Sequence, residues 1–423
     1  MSVPRAKDLF LIACLLVCAV SCEKTDSAGG SPQRSPAKST AATASGTTAD
    51  VPAPRTFLSR EEIAAGWVSL FDGRTLFGWK ANSDLNWSVK EGVLSADAGK
   101  PGLLLTTFEL ADYEFRCDYK VAAGGNSGVF LRTPFDPKDP TKDCYEFNVC
   151  DAHPAFPTGS VVGRKKADVP TTGENVWKSV QLIVEGNRIQ AKIDGKPVLD
   201  FTDTSPARLT RGHIGLQMNG GRIEFRNVAL KPLGAQPVFN GTDLKGWRVV
   251  PESKAEFQVA DGTIHATSGP GFLETEQTWD DFVLQVEART NGENLNSGIF
   301  FRAEPGTTAA PSNGYELQIH NGYRDGDRTQ PVDAGTGAIF RRTTARRVIP
   351  NDKEWFATTL IASGSHFSVW VDGYQVTDWT DERRPDANPR KGRRLEAGHI
   401  SLQAHDATTD VSFRNLRVGV IRR

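Results

Sequence analysis

The chain writes one chemically loaded string twice. Residues 126–132 are Asn-Ser-Gly-Val-Phe-Leu-Arg, and residues 296–302 are Asn-Ser-Gly-Ile-Phe-Phe-Arg. Each is followed by Tyr-Glu-apolar-amide, at 145–148 and 315–318. Each set closes with His-Ile-x-Leu-Gln, at 213–217 and 399–403. The set combines amides, a carboxylate, a guanidinium, an imidazole and an aromatic ring. Planar donors and acceptors of this kind hydrogen-bond vicinal hydroxyls, and a ring covers the CH face of a sugar. The same groups can move protons. Imidazole and a tuned carboxyl exchange protons near neutral pH, and a guanidinium stabilises a developing oxyanion.

Strand parity sorts these residues into two faces. In 126–132, Ser127, Val129 and Leu131 share one side, while Asn126, Gly128, Phe130 and Arg132 share the other. Tyr145, Phe147 and Val149 oppose Glu146 and Asn148. Ile214, Leu216 and Met218 oppose His213, Gln217 and Asn219. The second set divides alike, into a polar side of Asn296, Phe300 and Arg302, then Glu316, Gln318 and His320, then Gln403 and His405. A solvated sheet face is polar by default. A merely wet face, however, does not require Arg and Glu at matching positions in both sets. Glycines at 124, 125 and 128 leave room for a ligand to approach the backbone.

The strings belong to a duplication. "LFDGRTLFGW" at 70–79 returns as "VFNGTDLKGW" at 238–247, and "GNRIQAKIDGKPV" at 186–198 as "GSHFSVWVDGYQV" at 364–376. "FRNV" at 225–228 returns as "FRNL" at 413–416, and the order of all motifs is kept. The offset grows along the chain, so the second copy carries insertions, expected around 341–353 and 381–394. Two copies of this length are a tandem domain duplication, not a short-period solenoid. Within each copy the apolar residues alternate, and turns such as "IDGK" and "VDGY" are hairpin signals. A short helix is expected near Ser59–Ala65, with Ser59 and Glu62 as a capping box. The fold class is therefore all-β, two jelly-roll β-sandwiches in tandem, at 59–234 and 235–423.

The N-terminus stands apart. Arg5 and Lys7 precede an apolar run from Leu9 to Val20, too short to span a membrane and suited to an export signal over 1–21. The small residues before Cys22 resemble a bacterial lipobox, which makes Cys22 the expected lipidation site. Residues 22–58 are rich in Ser, Ala, Thr, Gly and Pro and are expected to form a disordered tether. The expectation is thus an exported, membrane-anchored lipoprotein, periplasmic or on the outer membrane. With 50 basic and 51 acidic residues the chain has no excess of positive charge for nucleic acid. Past the leader only Cys117, Cys144 and Cys150 remain. Along one extended strand Cys144 and Cys150 would lie about 20 Å apart, too far to bond, and buried free thiols are expected. The chain has no Walker loop, dinucleotide fingerprint, HExxH or Gly-x-Ser-x-Gly. "CDAHP" at 150–154 offers only two metal ligands, and the residues name no cofactor.

Taken together, "SLFDG…L.GW", "NSGVFLR", "YEFN", "TGS", "HIGLQ" and "FRN" resemble the 3-keto-disaccharide hydrolase domain, also described as 3-keto-glucoside 1,2-lyase/3-keto-2-hydroxy-glucal hydratase. The resemblance runs over about 66–233 and again over 237–420. It implies a concanavalin A-like sandwich and oxidised glycosides as substrates. A ketone at C3 acidifies the C2 proton, so a base can form an enediolate that expels the C1 oxygen, and water then adds to the 2-hydroxy-glucal. On the matching positions, Arg132 and Arg302 would stabilise the enediolate, and Glu146 and Glu316 would exchange protons. His153, His320 or His405 would be the base. Asn126, Phe130, Asn148, Gln217, Asn296, Phe300, Gln318 and Gln403 would hold the sugar. Copy one has Asn219 where copy two has His405. The alternatives are a non-catalytic glycan-binding lipoprotein, or a scaffold in which the repeats serve packing alone.

Overall fold

The computed structural model describes residues 56–422, apart from Pro170 and Pro389. The export segment, Cys22 and most of the tether lie outside the described residues. Each copy is a sandwich of a five-stranded and an eight-stranded antiparallel sheet. In the first copy the smaller sheet runs Trp79–Ala81, Gly102–Thr106, His213–Gly220, Asn126–Thr133, Tyr145–Val149 in spatial order. Its counterpart runs Trp247–Val249, Gly271–Thr275, His399–Ala404, Ser297–Ala303, Tyr315–Ile319. Inner-face side chains of both sheets interdigitate, as the alternation requires. Val129, Leu131, Tyr145, Phe147, Ile214 and Leu216 meet Phe115, Tyr119, Leu182 and Phe225 in one core. Ile299, Phe301, Leu317, Ile400 and Leu402 do the same in the second copy.

The one helix among the described residues is Arg60–Ala64, and both halves of its capping box form. Ser59 Oγ accepts from Glu62 N, and Glu62 Oε2 accepts from Ser59 N. Leu58, within the expected tether, is already buried against Ile63 and Trp67. Cys117, Cys144 and Cys150 are free and buried.

The copies are welded together. The outer face of the second copy's larger sheet meets the leading edge of the first. Trp370, wholly buried, donates Nε1–H to Ser69 O at 2.8 Å and takes Phe108 edge-on at 5.5 Å. Arg346 lies over the rings of Phe77 and Tyr374 and pairs with Asp72 at 2.9 Å. Val283, Ile361 and Trp370 of the second copy join the core of the first.

One expected insertion is relocated. Phe147 and Val161 are bridged in copy one, as are Leu317 and Ile339 in copy two, and the second interval is eight residues longer. The extra residues form a hairpin of Tyr323–Arg324 and Asp327–Pro331, not part of 341–353. The other insertion falls between Tyr374–Thr380 and His399–Ala404, where it was expected. Both insertions deliver residues to the site described next.

Candidate functional site

The outer face of each five-stranded sheet is the polar side chosen by parity, with one systematic exception. Phe130 faces Gly215, but Thr133 faces His213, so the strand holds one residue more than its partner. This is a β-bulge, and Arg132 sits in it with φ at +49°. The side chain is thereby turned off the outer face. Its Nε donates to Ala111 O at 2.8 Å, its Nη1 to Gly186 O and Leu209 O at 2.7 Å, and its Nη2 to Asp112 at 2.9 Å. Copy two repeats the device. Phe300 faces Ser401 and Ala303 faces His399, with Arg302 at φ +47°. Arg302 donates to the carbonyls of Asp280, Gly364 and Arg394 and to Asp281 Oδ1 at 3.0 Å. The expectation that these two arginines face a sugar is therefore corrected: both are buried clamps at sheet corners. The glycine before each His-Ile pair follows from the bulge. A Cβ at Gly212 or Gly398 would lie 2.4 or 2.3 Å from the carbonyl carbon of Arg132 or Arg302.

Phe130 and Phe300 do lie on the outer face, but neither is open to a ligand. Leu103, Leu105, Phe135 and Cys144 enclose Phe130, while Val250, Phe272 and Ala303 enclose Phe300. The loop after each strand crosses the sheet here, and Asn82 ties down Phe135 O at 3.1 Å. The stacking role assigned to these rings is withdrawn for that reason. Asn148 is also spent, since its amide donates to Phe156 O and anchors the loop beyond its strand. In that loop His153 Nδ1 accepts from Phe156 N at 2.9 Å. Among the described residues no hydrogen bond or ion pair joins His153 to Glu146. Asp151 of "CDAHP" holds Thr158 Oγ1 and Gly173 N.

What remains is a short floor built on the same residue types in the two copies. A Cβ on Gly128 would lie 3.2 Å from Glu146 Cγ and 3.3 Å from Gln217 Oε1. A Cβ on Gly298 would lie 3.0 Å from Glu316 Oε1 and 3.3 Å from Gln403 Oε1. A glutamate and a glutamine thus lean over a bare backbone patch where a side chain would crowd both. Burial raises both carboxyls, Glu146 to about 7, with the Gln217 amide opposing, and Glu316 with Arg390 opposing. The amide oxygens of Gln217, Gln318 and Gln403 are buried without a hydrogen-bond partner. Such an atom costs about 1–3 kcal/mol unless a ligand or water satisfies it.

Around the second floor the chain adds charge. Arg390 Nη2 pairs with Glu316 Oε2 at 3.0 Å, and its guanidinium lies 5.0 Å over the Phe300 ring. Asp333 accepts from Asn296 at 2.6 Å and from Gln318 at 3.0 Å. The field of Asp333 reaches both Glu316 and His320, and so does that of His405. His320 is buried, which lowers its pKa, and its Nδ1 accepts from Gly322 N at 3.1 Å. A neutral ring so held presents Nε2–H as a donor. His405 is the opposite case. Its Nδ1 lies 2.8 Å from Asp406 Oδ2, and Asp406 is held down at about 2 by the Thr408 hydroxyl and His405. An ionised Asp406 fixes the proton on Nδ1 and leaves Nε2 as a basic lone pair.

Asp333, Arg390 and Asp406 escaped the reading of the sequence. Asp333 lies in the segment lengthened by the first insertion, and Arg390 lies in the second insertion. Among the described residues no group of three or more His, Cys, Asp or Glu is placed to hold a metal ion. Two recesses of about 410 and 480 Å³ lie elsewhere, on the larger sheet of the first sandwich. No histidine lines them, and Asp168, Asp200 and Asp118 there are paired with Lys165, Arg188 and Arg226. They offer no convergent acid–base set.

The model of the 3-keto-alpha-glucoside-1,2-lyase-like domain matches residues 66–231 and again 234–419. The chain belongs to this family. Both copies are members, so the bulge-clamped arginine and the Gly–Glu–Gln floor are features that two family domains hold in common. A 3-keto-disaccharide hydrolase from Bacteroides thetaiotaomicron is 24% identical over 230 residues, covering 40% of this chain and 79% of its own. Two solved structures from Parabacteroides distasonis, described as glycosyl hydrolases, are also similar. One is 20% identical, covering 42% of this chain and 99% of its own with a TM-score of 0.38. The other is 26% identical, covering 40% and 99%, with a TM-score of 0.35. Within the family frame the two copies differ in charge, not in floor.

Proposed function

We propose that the second copy is a reacting centre for 3-keto-glycosides and that it cleaves them by elimination across C1–C2. The observation that carries this reading is the second floor. Glu316, Arg390, His320, Asp333 and the Asp406–His405 pair converge on a glycine patch beside unpaired, buried amide oxygens. The sugar's hydroxyls would satisfy Gln318 and Gln403.

His405 Nε2 takes the C2 proton, and the C2–H electron pair moves into the C2–C3 bond as an enediolate forms. Arg390 and the His320 Nε2–H stabilise the charge on O3. Collapse of the enediolate breaks the C1–O bond, and Glu316, whose carboxyl burial pushes up against the pull of Arg390, gives its proton to the departing oxygen. The products are an alcohol and a 3-keto-2-hydroxy-glucal. Water then adds its oxygen to C1 and gives a proton to Glu316, while His405 returns its proton to C2, which completes a net hydrolysis and restores both groups. Paired carboxylates of the ordinary glycosidase kind are not needed. Membrane anchoring through Cys22 and export remain part of the proposal, resting on the leader's composition alone.

Incubation of the full chain with 3-keto-disaccharides tests the reading. Released monosaccharide and a transient enone absorbance are expected, and His405→Asn lowers the rate at least about 100-fold. A wild-type protein that cleaves no 3-keto-glycoside, or a His405→Asn protein at full rate, overturns it.

A further inference from the structure

We infer that the first sandwich is a second carbohydrate site, one that holds an unoxidised glycoside without turning it over. The inference rests on the reading of the second copy as the reacting centre. Its own support is a comparison of two floors within one chain.

The binding parts are kept closely. The distances from a Cβ to the glutamate Cγ methylene are 3.2 Å at Gly128 and 3.1 Å at Gly298, and those to the glutamine amide oxygen are 3.3 Å at both. Gln217 Oε1 is buried and unpartnered, as Gln403 Oε1 is. Asn126 is half-buried and pairs in register with Gly220, beside the exposed Asn219. Gln217 and Glu146 thus edge one patch of bare backbone, with Asn126 two residues along the same strand. That is a hydroxyl-binding set, and an unpaired buried acceptor is costly without a donor arriving from outside.

The reacting parts are all gone. Cys150 stands where copy two has His320, and Asn219 where it has His405. The hairpin insertion beside Asp333 and the insertion that carries Arg390 have no counterpart in copy one. Among the described residues no ion pair reaches Glu146. Burial raises the Cys150 thiol, so it does not replace an imidazole as base. Glu146 alone can exchange a proton there, but with no imidazole and no cation over the carboxyl nothing stabilises the charge of an enediolate. The patch can still hold a neutral ring. A keto group gains nothing there, so the ligand class is the glycoside before oxidation.

Substitutions that fill one floor at a time separate the two sites. The probes are methyl glucosides and glucose disaccharides, observed by saturation-transfer NMR and titration calorimetry on the full chain. A Gly298→Val protein, its second floor blocked, still binds the sugar. Adding Gly128→Val removes binding, while circular dichroism stays that of the folded protein. In the otherwise unchanged chain, Gln217→Ala weakens sugar binding about tenfold at one of two sites. That variant carries the test if a valine variant does not fold. Absence of binding to Gly298→Val when that protein is folded, or binding untouched by Gln217→Ala, overturns the inference. If the wild type cleaves no keto-sugar and binding still depends on Gln217, only the catalytic reading of copy two falls.

Discussion

Replacing Arg302 with Met separates a clamp from a catalyst. The side chain is wholly buried and donates to three backbone carbonyls and to Asp281. Asp281 also accepts from Arg211 of the first copy at 2.8 Å, and Arg211 in turn pairs with Glu109 at 2.7 Å. Methionine fills much of the space but returns none of the donors. Breaking a buried pair from one side costs about 3–5 kcal/mol. A loss of about 4 kcal/mol lowers the melting temperature by roughly 8–16 °C in a domain of this size. Arg302→Lys keeps the charge without the planar fork and falls between. Thermal unfolding followed by circular dichroism gives the shift. Turnover measured about 20 °C below the lower midpoint stays within about threefold of wild type, because the guanidinium points away from the Gly298 floor. A melting point unmoved within about 2 °C, together with a hundredfold loss of turnover, would refute the clamp and return Arg302 to the site.

Arg390→Gln removes the cation that holds Glu316 down, so the carboxyl titrates still higher; the alkaline limb of the pH–rate profile moves up and kcat falls about 100-fold. Trp370→Ala empties the seam between the copies at a cost of about 3–5 kcal/mol, and scanning calorimetry then resolves two transitions where the wild type shows one. Glu146→Gln tests the first floor through stability. The native carboxyl holds its proton to about pH 7 while the unfolded one releases it near 4.5, so wild-type stability falls by about 3 kcal/mol between those values and is flat above. The Gln variant lacks that fall, and urea unfolding at pH 5 and pH 8 shows the difference.

Much of this fold follows from period and punctuation. The duplication, the hairpins and the inner-face residues depend only on alternation, which a sandwich enforces at every strand. Ser127, Val129 and Leu131 obeyed it and are buried as expected. Arg132 and Arg302 did not, because one extra residue in a strand reverses parity, and nothing in the seven-residue string announces a bulge. The signal lay elsewhere, in the glycines at 212 and 398. Each precedes the His-Ile pair across the sheet and is required by the carbonyl that the bulge pushes toward it. A strand's bulge was thus recorded in its partner.

The site was legible by half for a related reason. Glu316, Gln318, His320, Gln403 and His405 sit on strands or at their ends, where parity places them. Asp333 and Arg390 sit in segments that alternation does not govern. Length was the available clue. Two copies that keep every strand but differ by two eight-residue insertions, and by shorter ones, have spent those residues on something other than the fold. Both insertions reach the same floor, one through Asp333 beside Asn296 and Gln318, the other through Arg390 on Glu316. Extra loop costs little in closure entropy, so such additions are cheap to acquire. Their convergence on one floor is therefore the strongest structural reason to propose chemistry in the second copy and binding in the first.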